Sequence, residues 1–338
     1  MKKTLVAIAA VAAVTGAMAE ATITGSIQAG TNSTSTVAAG AAAVNTLTME
    51  DSNGNTVFNI GVSEDLGDGM TFKGNIAVEM GLSSQSFGAA GVNETYASLT
   101  GAFGGIKLGA LQTPQFQAIA AGDASGLLIS SIFYDNNTHQ GSTGGSQILL
   151  QTKSFQYTLP TFVDGLSLEY QTGLGAQSDN TSDAQNFSVD YKAGALAAGI
   201  AYSTYKQTSS TSDTATTYYA SYNLGPATLK GMWGNAQTSG AATVNSTSFG
   251  VVVPMGAATF MYNHGSSDGR VYNTASTAAS LVSSVDHAAD FVGVSYALSK
   301  RTTAYALYYR ETGNNASVTS FATNSSWNTT HIMVIHAF

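Results

Sequence analysis

The chain has 338 residues, with 20 Asp and Glu against 12 Lys and Arg, a formal net charge of −8, and no cysteine. The absence of cysteine excludes a disulfide framework and thiol chemistry, and the acidic balance argues against a nucleic-acid partner. Charged residues make up only 9 % of the chain, whereas about 25 % is typical of soluble domains. Thr, Ser, Asn, Gln and Gly replace them, which suits a protein with one surface in lipid and another around a water-filled lumen.

The first 19 residues are predicted to be a secretory signal peptide. Lys2 and Lys3 form a basic start, residues 5–14 an apolar run, and residues 17–19 a small-residue cleavage site. The apolar run is too short to span a bilayer, and no other segment approaches the ~18 apolar residues of a transmembrane helix. We therefore expect export and cleavage, which leaves residues 20–338 as one domain, with a net charge of −10 after the loss of two lysines.

The mature part alternates between apolar and polar residues and shows no helical periodicity of useful length. The alternation is clearest in residues 70–80, 186–191 and 303–310. In the first of these, Phe72 and Ile76 share one face, and Lys73 and Glu79 share the other. Segments of ~10 residues cross a bilayer as tilted strands. A soluble sandwich shows the same alternation, so this pattern alone does not decide between the two.

The connections between these segments favour a membrane barrel because they alternate in length. Short turns fall near residues 64–69, 101–105, 159–165, 192–195, 224–226, 254–256 and 298–301. Long polar stretches fall near residues 31–44, 112–146, 207–214, 265–286 and 312–326. Tight periplasmic turns and longer extracellular loops are typical of outer-membrane barrels. We therefore predict an all-β, transmembrane antiparallel barrel of about 16 strands, since bacterial single-chain barrels have an even number.

The last twelve residues, 327–338, are predicted to form a strand, and one of its two registers carries Ile332, Val334 and Phe338. An apolar strand at the end of a chain needs partners on both edges. We predict that it pairs with the first strand and so closes the barrel. The alternative is an edge strand of a soluble sandwich.

Five segments resemble the general porins of Gram-negative outer membranes, most closely the β-proteobacterial type. They are the first-strand opening at 21–25, the turn at 64–69, the strand at 103–109 followed by Thr113 and Pro114, the segment 296–302, and the terminal His336 and Phe338. The resemblance implies a sixteen-stranded barrel in the outer membrane, usually a homotrimer without a cofactor. It also implies that a third loop, about residues 112–146, folds into the lumen. His336 and Phe338 would then belong to the signal that the barrel-assembly machinery recognises.

The chain departs from this family at two positions. The family commonly has basic residues where this chain has Ala110 and Gln156. Both positions belong to the cationic wall that faces the acidic loop across the pore. Their replacement puts strong anion selectivity in doubt.

The inward registers predict the residues that line the pore. The wall residues are Lys73, Glu79, Lys107, Gln156, Glu169, Asp190, Lys230 and Arg310, and the loop contributes Asp123 and Asp135. A Lys or Arg facing lipid near the midplane costs about 2–4 kcal/mol, which favours the lumen. Opposed charges across a narrow channel orient polar solutes and bias ion selectivity. The alternative is that several are solvated charges at the rim.

We expect no enzyme and no metal site. Residues 265–269 match the Gly-x-Ser-x-Gly pattern, but no helix follows them as in a nucleophile elbow. Asp179 and Asp183 could hold a divalent cation, but their spacing is not that of a calcium-binding loop.

The predicted function is a diffusion porin for small hydrophilic solutes and ions, with weak or cation-leaning selectivity. The alternatives are a surface-exposed β-rich adhesin and a solute-specific porin. The latter would need an aromatic ladder along the lumen, for which Tyr96 and Tyr308 are too few.

Overall fold

The computed structural model describes most of the mature chain. The described residues are 19–37, 42–50, 56–82, 86–89, 93–128, 150–174, 184–208, 211–237, 243–274, 277–313 and 325–338. In the first half, the strand segments are β1 (Glu20–Val37), β2 (Val44–Glu50), β3 (Val57–Gly67), β4 (Met70–Gly81), β5 (Ser86–Ala89), β6 (Thr95–Gly101), β7 (Gly104–Gln112), β8 (Leu150–Thr158) and β9 (Leu166–Gly173). In the second half they are β10 (Gln185–Ala193), β11 (Leu196–Thr208), β12 (Thr211–Asn223), β13 (Thr228–Gln237), β14 (Thr243–Met255), β15 (Ala258–Thr274), β16 (Thr277–Ala297), β17 (Thr302–Gly313) and β18 (Ser325–Ala337). The described part has one helix, α1 (Pro114–Gly122), and no helix in it has the length and apolarity to cross a bilayer.

These 18 segments make up 16 antiparallel strands of one sheet. Segments β2 and β3 pair with successive parts of β1, and so form one interrupted strand. Segments β5 and β6 pair with successive parts of β4 in the same way. The predicted count of 16 strands is therefore confirmed.

The two ends of the chain close the sheet into a barrel. Strands β1 and β18 pair from Ser26 with Ala337 to Val37 with Ser326. Beyond that ladder, the amide of Gly25 donates to the carbonyl of Phe338 at 3.2 Å, and the amide of Phe338 donates back at 3.0 Å. Because both edges find a partner, the sheet exposes no open edge to lipid, as a membrane barrel requires. The predicted pairing of the first and last strands is confirmed.

Short turns join the strands at one end of the barrel, from two residues at 68–69 to seven at 159–165. The opposite end holds the longest connection, residues 113–149. The prediction of long loops at 207–214 and 265–286 is wrong, because β11, β12, β15 and β16 extend through most of both segments. Thr favours strands, so a Thr-rich stretch does not mark where strand pairing ends.

The two faces of the wall differ in character. Large apolar side chains are exposed on the outer face, among them Ile23, Leu229, Trp233, Phe249, Phe260, Val292, Ile332 and Val334. Buried polar side chains lie on the inner face, among them Gln28, Gln151, Gln171, Ser203 and Thr217. Burying the outer set in hydrocarbon removes it from water, at about 25 cal/mol per Å². The outer face is therefore the lipid-facing surface, and the inner face surrounds the lumen.

Candidate functional site

Helix α1 begins the longest connection and was not predicted from the sequence. The side-chain oxygen of Thr113 accepts a hydrogen bond from the amide of Phe116 at 3.1 Å, and Pro114 occupies the first turn. A Thr followed by Pro is a helix-start signal, because the Thr satisfies a free amide and Pro has none to satisfy. The helix has nine residues, too few for the periodicity to stand out among strands.

The helix lies against the inner side of strands β9 to β13. Near its start, the amide nitrogen Nε2 of Gln115 donates to Oγ1 of Thr217 at 2.5 Å. In its middle, the fully buried Ile119 packs against Met232 and Tyr219. These contacts combine one directional hydrogen bond with apolar burial, so they set the position of the helix along the wall.

The end of α1 is held by Lys230. Nζ of this lysine, on β13, donates to the main-chain carbonyl of Asp123 at 2.8 Å. Asp123 is the C-cap of the helix and is fully buried. Its carboxylate accepts hydrogen bonds from the amide and hydroxyl of Ser125 at 2.6 and 2.5 Å. The ammonium of Lys230 is thus bound to the loop.

The chain then continues along the inner wall. Gly250 on β14 leaves room for Ala124, because a Cβ at this glycine would lie 2.6 Å from that of Ala124. Further on, Leu128 packs against an inner apolar cluster of β15 to β18, which comprises Met261, Ala289, Phe291, Leu307, Tyr309 and Met333. The described start of the loop therefore runs on the lumen side from β9 to β17. The predicted loop residue Asp135 lies outside the described residues.

A second group surrounds Lys107 on β7. Its Nζ lies 2.5 Å from Oε2 of Glu94, and also 4.1 Å from the centre of the Tyr96 ring. The other oxygen of Glu94 accepts the amide of Gln112 at 3.0 Å. Both charged side chains are mostly buried, with exposed fractions of 23 % and 18 %. The positive charge of Lys107 is therefore compensated locally.

Glu94 is a wall residue that was not predicted from the sequence. Its position could have been inferred, because it precedes Tyr96 by two residues and so shares its inward register.

Gln156 and Glu169 are neighbours of this group. Gln156 is directly opposite Lys107 in the pairing of β7 with β8, and it is buried. Its pairing partner on β9 is Gln171, and Glu169 lies two residues before Gln171 on the same inner face. The hydroxyl of Thr158 donates to Oε2 of Glu169 at 3.4 Å. Where the family commonly has a cation, this chain thus places a neutral amide beside a carboxylate.

Asp190 on β10 accepts hydrogen bonds from the hydroxyls of Ser188 at 2.8 Å and Tyr219 at 2.7 Å. Tyr219 belongs to β12, so its side chain reaches across β11. Gly199 on β11 makes this possible, because a Cβ there would lie 2.5 Å from both Oδ1 of Asp190 and the Tyr219 ring. The carboxylate is held in place by two hydroxyl donors.

Lys73 and Glu79 lie on the inner register of β4. Lys73 is exposed, and Glu79 accepts a hydrogen bond from the side-chain amide of Asn93 at 2.9 Å. Lys73 has no ion pair with a described residue, so it is the most accessible of the three predicted wall lysines.

Arg310 does not lie in the predicted position. It is exposed on the lipid-facing side of β17 together with Tyr308, whereas Leu307, Tyr309 and Glu311 are buried on the inner side. The prediction assumed that the more apolar register of this strand faces lipid. That assumption fails here because Leu128 and the inner apolar cluster cover this register from the lumen side.

The two predicted assembly residues close the last strand. Nδ1 of His336 lies 2.8 Å from Oγ1 of Thr302 on the neighbouring strand β17. Phe338 forms hydrogen bonds with Gly25 through its backbone, and the residue remains 41 % exposed. Phe338 therefore contributes to the seam, the pairing of β1 with β18 that closes the barrel, and His336 contributes to the pairing of β18 with β17.

A closed sixteen-stranded barrel with an apolar exterior, a polar interior and a loop along its inner wall defines a membrane channel of the porin class. A family model described as Gram-negative porin matches residues 4–316, and the chain belongs to this family. It is therefore an outer-membrane channel protein. The predicted family resemblance is confirmed.

Solved structures agree on the fold. The anion-selective porin from Comamonas acidovorans is 20 % identical, with a TM-score of 0.78, over 95 % of this chain and 100 % of that one. A loop L8 deletion mutant of OmpT from Vibrio cholerae is 11 % identical, with a TM-score of 0.71, over 95 % and 99 %. Salmonella typhi OmpF in complex with daunomycin is 12 % identical, with a TM-score of 0.65, over 96 % and 98 %. The search of curated proteins found no match.

Proposed function

We propose that this chain forms a water-filled pore for passive diffusion of small hydrophilic solutes and ions, with a weak preference for cations. The observation that carries the proposal is the environment of two of the three wall lysines. Lys107 is bound to Glu94, and Lys230 is bound to the carbonyl of Asp123. The carboxylates of Glu169 and Asp190 have no lysine partner within ion-pair distance among the described residues, so they attract cations.

The mechanism needs no covalent step. Solutes move down their gradient through the lumen, and the loop that starts with α1 limits their size. Wall charges and fixed hydroxyl dipoles replace part of the hydration shell of an ion and orient polar solutes as they pass. The carboxylates on β9 and β10 attract cations, whereas the charge of Lys107 is compensated by Glu94 and attracts anions only weakly.

An identity of 20 % with the Comamonas porin supports a shared fold but not a shared ion selectivity. Gln156 and Ala110 replace the basic residues that the family commonly carries. Gln156 faces Lys107 and is diagonally opposite Glu169 in the pairing of β8 with β9, so the chemistry at this point of the wall is that of an amide and a carboxylate.

Assembly follows the family pattern in our proposal. Residues 1–19 act as a cleaved signal peptide, and the mature chain forms a homotrimer in the outer membrane. The barrel-assembly machinery recognises the last strand through His336 and Phe338. The trimer proposal is supported by the trimer form given for OmpT from Vibrio cholerae. Electrophoresis of unheated and heated protein, with N-terminal sequencing of the mature chain, tests both points.

The central experiment is planar-bilayer recording on the purified protein. We expect stable conductance steps and a small reversal potential of the sign of a cation-preferring pore in a KCl gradient. A clear anion preference would contradict the selectivity proposal. Absence of conductance from correctly folded protein would contradict the pore itself.

A further inference from the structure

Lys230 is the wall lysine whose environment differs most from that of a pore-lining charge. We propose that Lys230 is a positioning residue that holds the constriction loop against the barrel wall, and that it contributes little to ion selectivity. This inference rests on the proposed diffusion function, since its consequence is the size of the pore. It assigns different roles to two lysines on the same inner face, Lys73 and Lys230.

The geometry at the end of α1 favours this role. The ammonium of Lys230 reaches the carbonyl of Asp123 at 2.8 Å, at the residue where the helix ends. The amide of Gly126 also donates to this oxygen, but at the longer distance of 3.4 Å. The C-terminal end of a helix carries partial negative charge, which a cation stabilises. The last turn of α1 has no basic residue of its own, so β13 provides the cation.

The other contacts described for α1 are neutral. Gln115 is bonded to Thr217 at the first turn, and Ile119 packs on Met232 in the middle. These contacts fix the beginning and the wall-facing side of the helix. Among the described contacts of α1 with the wall, the one at Asp123 is a hydrogen bond from a charged group, and it lies where the chain turns toward Ala124 and β14. Lys230 therefore controls the point from which the remainder of the loop extends.

Loss of this contact has a definite consequence for the pore. Removing a hydrogen bond from a charged donor shifts a two-state equilibrium by about 10- to 100-fold. A displaced loop widens the lumen, because less of the chain occupies it. We therefore expect brief openings to a higher conductance to become about 10- to 100-fold more frequent.

The test uses the substitution Lys230→Met, which keeps a long apolar stem and removes the ammonium. We expect more frequent excursions to higher conductance and passage of larger polyethylene glycols than in the unmodified protein. The reversal potential in a KCl gradient should remain close to that of the unmodified protein. Lys230→Arg keeps a cationic donor and should restore steady conductance.

The matched control is Lys73→Met on the same inner face. Lys73 is exposed and does not contact the described part of the loop, so its loss should shift the reversal potential toward cations without adding excursions. The proposal is overturned if Lys230→Met shifts the reversal potential as much as Lys73→Met does and leaves the conductance steady. It is also overturned if Lys230→Arg behaves like Lys230→Met.

These results remain separable from the proposed function. A protein that does not conduct at all contradicts the diffusion pore. A conducting protein whose loop is unaffected by Lys230→Met contradicts only the positioning role. Heat-modifiable migration of each variant on electrophoresis shows that its barrel has assembled.

Discussion

The substitution Glu94→Gln tests how the wall compensates its own charges. Glutamine keeps the oxygen that accepts the amide of Gln112 and removes only the negative charge beside Lys107. The ammonium of Lys107 then acts on passing ions without a counter-charge at 2.5 Å. Its position over the Tyr96 ring is retained, so the change is electrostatic.

The size of the effect follows from Coulomb's law. A unit charge about 5 Å from the ion path contributes ~0.8 kcal/mol at the dielectric constant of water. Screening at 0.1 M salt, with a Debye length of about 10 Å, reduces this to ~0.5 kcal/mol. Such an energy changes the population of each ion about twofold, in opposite directions for cation and anion, so the permeability ratio falls about fivefold.

The assay is the reversal potential of single channels in KCl gradients at two mean salt concentrations. At 1 M salt the Debye length is about 3 Å, and the change in permeability ratio should shrink to less than about twofold. The opposite substitution, Lys107→Gln, should increase the cation preference. An unchanged ratio in Glu94→Gln at low salt would show that this pair lies outside the ion path, and would refute the reasoning.

Three further predictions concern assembly, packing and the loop. Deletion of Phe338 removes the last backbone bonds of the seam, so we expect no heat-modifiable barrel on electrophoresis; normal oligomers would contradict this. Leu307→Ala leaves a cavity in the inner apolar cluster and should lower the free energy of unfolding, measured by urea titration, by about 2–4 kcal/mol. The control Val292→Ala, on the lipid-facing side, should lower the free energy of unfolding by less than half of that amount. Thr113→Val removes the oxygen that accepts a hydrogen bond from the amide of Phe116, and it should destabilise α1 by ~1 kcal/mol. Faster hydrogen exchange of the helix amides would support this prediction, and unchanged exchange would contradict it.

Much of the barrel could be predicted from the sequence because its elements depend on local patterns. Alternation with period two determines which residues of a strand share a face, so Lys107, Glu169 and Asp190 were placed on the inner side by register alone. The need for every backbone group in lipid to have a partner determines that the strand ending at Phe338 must meet the first one. Both arguments need only the neighbours of each residue and the solvent on each side.

Only the tertiary structure showed where the inner face of the barrel contacts other protein groups and not water. Arg310 was assigned to the lumen because Leu307 and Tyr309 looked lipid-facing, but apolar packing from the loop side covers that register instead. Likewise, Lys230 has the register of a pore charge, yet a helix distant in sequence takes up its ammonium.

These contacts join residues that are far apart in the chain, such as Asp123 and Lys230. No periodicity encodes such a contact, because it depends on where a loop lies after the barrel has closed. The sequence therefore determined the wall and its two faces, whereas the environment of Lys230 and the cover over the inner face of β17 were decided only when the loop was packed against that wall.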